Sequence, residues 1–158
     1  MMEKSDKIMK ITAGYGLILG FAMIAVYMLI IIFRVPLSFV LIFTYIGGLV
    51  YTTLAYREKY LGGIISYGKS LLFGVLVSGF AFIVLGVFFY ILISFHQDEY
   101  REFFNRIMAE METKGYVKPQ DSEYSIFNPA IWIIAYLSFG LLAGLAVSAI
   151  TSLFTKKS

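Results

Sequence analysis

An all-α integral membrane four-helix bundle, with an extra amphipathic extramembrane helix between spans three and four, is the fold class that three observations predict. First, the 158 residues are 59% hydrophobic and 15% charged, with a mean hydropathy of +0.82. A soluble domain carries roughly 25% charged residues, so the deficit points to a bilayer as solvent. Second, four long runs hold no Asp, Glu, Lys or Arg: 11–33, 36–55, 70–95 and 128–154. Third, the charge is segregated. Residues 96–124 are net −3, whereas the rest of the chain is net +6, the asymmetry that orientation across a membrane produces. No polar block is long enough for a second domain, so residues 1–158 read as one polytopic membrane domain.

The first element follows a short polar head holding Lys4, Lys7 and Lys10. The 23 uncharged residues from Ile11 to Phe33 give about 35 Å of helix, enough to cross with some tilt. A cleavable signal has a shorter apolar core and a small-residue cleavage site. Arg34-Val35-Pro36 follows instead, so this run is expected to remain as an anchor. Proline suits the first position of a helix and disfavours helical geometry in the residue before it. Span two therefore starts near Pro36, runs antiparallel to span one and ends about Ala55, with Arg34 snorkelling to the head groups at the turn.

Span three is the 26-residue uncharged run from Ser70 to Phe95. Span four opens on a legible start signal: Asn128 as N-cap, Pro129 at the first helical position, and Phe127 and Trp132 at the hydrophobic-staple positions. It closes on Lys156-Lys157. Eight Lys and Arg fall in the N-terminal head, the 56–69 connector and the tail, against five on the other side. The positive-inside rule then predicts both termini and the connector in the cytoplasm of a bacterial inner membrane.

Within the spans, small residues recur every fourth position: Gly16 and Gly20; Thr44, Gly48 and Thr52; Ser70, Gly74 and Ser78; Gly140, Gly144, Ser148 and Ser152. Such stripes let helix backbones approach closely in lipid. The alternative is a polar pathway lined by these hydroxyls and by Tyr27, Tyr45, Tyr51 and Tyr136. Against that alternative, none of the four spans contains Asp, Glu, His, Lys or Arg, which coupled transporters place in the membrane.

Between spans three and four, Tyr100, Phe103, Phe104, Ile107, Met108 and Met111 recur in steps of three and four, which places them on one face of a helix over about 98–114. Lys114 and Gly115 supply its C-terminal signals. Three destinations stand open for that apolar face: the bundle's own surface, the interface plane, or a partner or second copy. Nothing in the sequence demands a break between span three and this helix. His96 is the only histidine and there is no cysteine, so no catalytic constellation, metal site or cofactor is expected, and no basic run suggests nucleic acid.

The connector packs Arg57, Lys59, Gly62, Gly63, Tyr67 and Lys69 into one polar stretch. It reads as an anchored turn, with Tyr56, Tyr60 and Tyr67 as interfacial residues, or as a lipid head-group or partner site built from those six residues. Two spans, then Tyr56-Arg57-Glu58-Lys59, Leu61-Gly62-Gly63, Ile65-Ser66-Tyr67-Gly68-Lys69 and Phe73-Gly74, resemble the domain of unknown function 4199 family, small membrane proteins of Bacteroidota. Met108-Ala109-Glu110-Met111-Glu112-Thr113-Lys114-Gly115 and the basic tail fit the same layout. The Asp-Pro pair that members often carry after span three is missing from Phe95-His96-Gln97-Asp98. The resemblance implies an inner-membrane protein and brings no activity with it. The expected role is therefore a non-enzymatic accessory or oligomerising subunit, with membrane lipid, a second copy or another membrane protein as partner. The alternative is a small transporter or channel for a neutral or lipid-like solute.

Overall fold

A computed structural model describes residues 2–33, 38–114 and 129–155. All regular structure among them is helical: α1 Met2–Phe33, α2 Ser38–Leu61, α3 Tyr67–Phe95, α4 Gln97–Thr113 and α5 Pro129–Thr155. Four of these are long and apolar enough to cross a membrane, over Lys7–Phe33, Phe39–Leu61, Tyr67–Phe95 and Ile133–Phe154. Four helices of the expected length and apolarity are present. The Arg34–Pro36 junction and the Phe127-Asn128 start signal lie outside the described residues, although the last helix does begin at Pro129.

α3 is the hub. Packing on α1 along one side and α5 along the other, it buries 44% of its most apolar window, against 17–28% for the other spans. The small residues make this packing close. A Cβ on Gly20 would stand 2.9 Å from the Ala81 carbonyl oxygen, and one on Gly86 3.2 Å from the Ile133 Cα. Gly16 meets Phe80, Gly74 meets Ser148, and Gly140 meets Phe82. Without a hydrophobic drive between helices in lipid, such van der Waals proximity supplies the cohesion.

α2 lies over the α1–α3–α5 row and is held differently. Its buried side chains are long ones, Tyr45, Leu49 and Tyr56, together with Thr52 and Thr53. Few of its backbone atoms come near α3 or α5. The Tyr45 hydroxyl reaches Ser78 Oγ at 2.7 Å, and its ring meets Phe82 edge-on at 5.4 Å. Rings span the gap, and space remains on both flanks.

α2 runs to Leu61 rather than ending near Ala55. Tyr-Arg-Glu-Lys is polar but holds no helix breaker, so the helix carries on until Gly62 and Gly63, at φ 65° and 88°, adopt a conformation that side-chain-bearing residues avoid. The Gly63 N–H turns back to the Arg57 carbonyl at 3.0 Å, satisfying one of the free carbonyls of the helix end. The connector thus shrinks to Gly62–Ser66, and Ile65 within it is buried in the core. Tyr56, expected at the interface, is buried as well, stacked on Phe73 with ring centroids 4.1 Å apart.

α3 and α4 are two helices and not one rod. His96 between them takes φ −119° and ψ 34°, and its backbone N–H donates to the Leu92 carbonyl at 3.1 Å.

Candidate functional site

Helix ends bring the connector's polar residues to the same end of the bundle as the start of α1, but they do not form one cluster. Arg57 is turned inward, its side chain 17% exposed, and donates to Glu58 Oε1 from Nη2 at 2.6 Å and from Nε at 3.0 Å. Glu58 and Lys59 line a groove between α1 and α2. Lys69 stands on the other flank of α2, where it shares a pocket of about 340 Å³ with Lys7, Tyr56 and Tyr60. Gly62 and Gly63 make the turn, and Tyr67, at 38% exposure, opens α3. Of the six connector residues, only Lys69 reaches this basic pocket. Lys7, its counterpart, belongs to the N-terminal head, and the signal that joins them is that α1 and α3 run in the same direction.

The α1–α2 groove, of about 940 Å³, has small residues mainly on its α2 side, Gly47, Gly48 and Ala55 with Thr44 and Tyr51, and the larger Tyr15, Ile18 and Leu19 with Ala22 on its α1 side. Gly47 faces open space, whereas Gly48 faces Leu19. Tyr51 is 71% exposed along this groove.

At the opposite end of the bundle lies a cleft of about 460 Å³ reached by all four spans. Met23 and Tyr27 come from α1, Ile42 and Tyr45 from α2, Phe89 from α3, and Tyr136 from α5. The long side chains that hold α2 off α5 create it, and the exposed Ile42, Ile46 and Phe139 border its lateral side. Its walls are almost entirely apolar. Phe89 and Tyr136 stack at 4.7 Å, and Tyr27 meets Phe89 edge-on at 5.1 Å.

The hydroxyls expected to line a polar pathway do not form one: Thr44 and Thr52 border the α1–α2 groove, and Ser70 and Ser152 face each other between α3 and α5. Thr12, Thr44, Thr52 and Thr53 each donate to a carbonyl one turn back in their own helix. Ser152 donates to Ser70 Oγ at 3.0 Å across the α3–α5 contact. Tyr51 lies in the groove, apart from the cleft that Tyr27, Tyr45 and Tyr136 share.

On α4 the polar face is exposed and carries two i,i+4 ion pairs, Arg106 to Glu102 and Lys114 to Glu110, both at 2.8 Å. Exposed pairs of this kind add little. The side chains of Tyr100, Phe103, Phe104, Ile107, Met108 and Met111 lie outside those described. Among the described residues, no three of His, Cys, Asp and Glu gather in a group that could hold a metal ion.

Neither the curated proteins nor the solved structures contain a match to this chain. A family model described as "Protein of unknown function (DUF4199)" matches residues 14–157, from within the first span to the basic tail. With four helices long enough to cross a membrane and that match over nearly the whole length, the chain belongs to the DUF4199 family of proteins of unknown function.

Proposed function

We propose that this is a non-enzymatic, multi-pass inner-membrane protein that binds the apolar chain of a lipid or lipid-like molecule in the cleft between α2 and α5. The carrying observation is the cleft itself. Its volume of about 460 Å³ lies within the roughly 300–1,000 Å³ usual for small-molecule sites. Its walls offer rings and branched side chains and almost no polar atoms, which suits a hydrocarbon chain entering sideways from the bilayer. The small-residue stripes are largely spent on packing inside the bundle, which moves the weight from association towards ligand binding.

Photoactivatable fatty acids test this reading, with labelling in the cleft compared against labelling at Leu142, 72% exposed on the outer face of α5. Enrichment at Ile46 and Phe139 over Leu142 is expected, along with its loss in Ala143→Phe, which fills the cleft. Equal labelling at all three positions, or enrichment that survives Ala143→Phe, sinks the idea.

A second reading, helix association, is favoured by the α1–α2 groove, where Gly47 leaves room for another helix. Because the chain has no cysteine, Gly47→Cys reports directly: an oxidative dimer in native membranes supports a second copy there, and a monomer under all conditions removes it. The charge count supports an orientation with the connector in the cytoplasm. In that orientation Glu110→Cys reacts with an impermeant maleimide from outside the inner membrane and Lys59→Cys does not; the reverse pattern inverts the topology.

A further inference from the structure

The basic pocket at the connector end has a chemistry that the cleft lacks. Two ammonium groups line it, Lys7 from α1 and Lys69 from α3, and no acid does among the described residues. The connector's one acid, Glu58, is engaged by Arg57 and lines the groove on the other flank of α2. Among the described residues neither Lys7 nor Lys69 forms an ion pair. The rest of its lining is largely apolar: buried Phe73, with Tyr56 stacked on it, forms the floor, and Ile11 and the exposed Leu72 flank it. Tyr60, 45% exposed, supplies a hydroxyl beside the lysines.

The depth of the two lysines is informative. The spans of α1 and α3 begin at Lys7 and Tyr67, so Lys7 and Lys69 both mark the level where apolar span gives way to the interface. Lipid phosphates lie at that level, and lysine stems run along apolar surface to place their charges there. Two like charges lining one pocket repel each other, and an anion between them removes the repulsion. A small soluble anion would make no use of the apolar floor.

From this arrangement we infer that the pocket binds the phosphate-bearing head group of an anionic membrane lipid. Lys7 and Lys69 hold the phosphate, and Ile11, Leu72 and Phe73 take the glycerol and the first chain carbons. This site is separate from the α2–α5 cleft, which lies at the other end of the bundle, and the two stand or fall independently.

The experiment titrates the whole protein, purified in neutral detergent, with short-chain phosphatidylglycerol, short-chain phosphatidylcholine and inorganic phosphate, following thermal unfolding. Saturable stabilisation by phosphatidylglycerol alone is expected. Each base near an anionic surface is worth roughly fivefold, so Lys7→Gln/Lys69→Gln weakens apparent affinity about thirtyfold. Lys7→Arg/Lys69→Arg keeps the binding. Lys10→Gln/Lys59→Gln loses the same charge outside the pocket and leaves the affinity at the wild-type level. Equal loss in that control reduces the effect to bulk attraction and overturns the site. Equal stabilisation by phosphatidylcholine overturns the requirement for an anion, and equal stabilisation by inorganic phosphate overturns the lipid.

Discussion

α5 and α2 are both apolar helices that cross beside α3, and both leave most of their surface to lipid, with 17% and 28% of their spans buried. Buried share alone would rank α2 as the better packed. Backbone proximity reverses the order. α5 meets α3 through Gly74, Gly140 and Gly144, each with a side chain of the facing helix seated against its Cα. α2 meets α3 and α5 through long side chains, Tyr45 and Tyr56 among them, which reach inward while its own backbone stays away from those two helices; only towards α1 does a side chain, Leu19, seat against its Gly48. In a bilayer these are different kinds of interface. One excludes everything and fixes the geometry; the other fixes α2 at a few points and leaves grooves between them, and all three pockets border α2.

If that contrast is right, the largest loss of stability comes from adding a branched side chain where backbones touch. Gly16→Val puts a Cβ against Phe80 and 2.8 Å from the Val77 carbonyl oxygen, where nothing flexible can yield. Overpacking of this kind costs about 1–3 kcal/mol and occasionally more, so a clear fall in folded fraction is expected by steric trapping or detergent-denaturant titration. Gly140→Val, against Cβ and Cγ of Phe82, belongs in the same range. Wild-type stability in both variants would mean that α3 is not knitted to its neighbours as described.

The neighbouring pair Gly47 and Gly48 sharpens the comparison within α2 itself. A Cβ on Gly48 meets only the flexible end of Leu19, so Gly48→Ala should cost less than about 1 kcal/mol, below the overpacking range. Gly47→Ala, with no atom within 4 Å of its Cβ, should cost nothing on packing grounds and should gain slightly from helix propensity. The same denaturation assay separates the two, and a larger loss at Gly47 than at Gly48 would place something in the groove that the bundle alone does not contain.

The contrast between the interfaces was only half legible in the sequence. Four uncharged runs and the small-residue periodicity revealed the spans and the close contacts, because lipid admits few other uses for Gly16, Gly74 or Gly140. Which side of each stripe would be used inside the bundle was not legible, since an internal neighbour and an external partner ask for the same residues. Hydropathy also placed the end of span two too early: it scores Tyr56 to Leu61 as polar connector, whereas helix termination depends on Gly62 and Gly63. The pairing of Lys7 with Lys69 needed the third dimension, because only the parallel packing of α1 on α3 brings the two together.

Polar contacts should matter less than closeness in both regions. Tyr45→Phe removes the bond between the Tyr45 hydroxyl and Ser78 Oγ but leaves Ser78 donating to the Gly74 carbonyl at 2.8 Å. Side-chain hydrogen bonds between membrane helices average about 0.6 kcal/mol, so a loss of that order is expected in the same titration. A loss several times larger would show that α2 is held by this one bond rather than by its rings.

The smallest effect, and one whose sign is informative, belongs to Ser148. Its Oγ is buried with no hydrogen-bond partner among the described residues and stands against Gly74 at the tight α3–α5 contact. Were the hydroxyl important as a polar group, Ser148→Ala would destabilise. If the residue is there for its small size, alanine serves equally well and spares the cost of burying an unsatisfied oxygen, a term of about 1–3 kcal/mol on mutational scales, reduced in lipid because the unfolded reference has little water to lose. Stability equal to or slightly above wild type is therefore expected for Ser148→Ala, and a clear loss for Ser148→Val, whose extra methyl groups have no room beside Gly74. Destabilisation by alanine would instead give that hydroxyl a polar role and take closeness out of its place as the cohesive term of the α3–α5 interface.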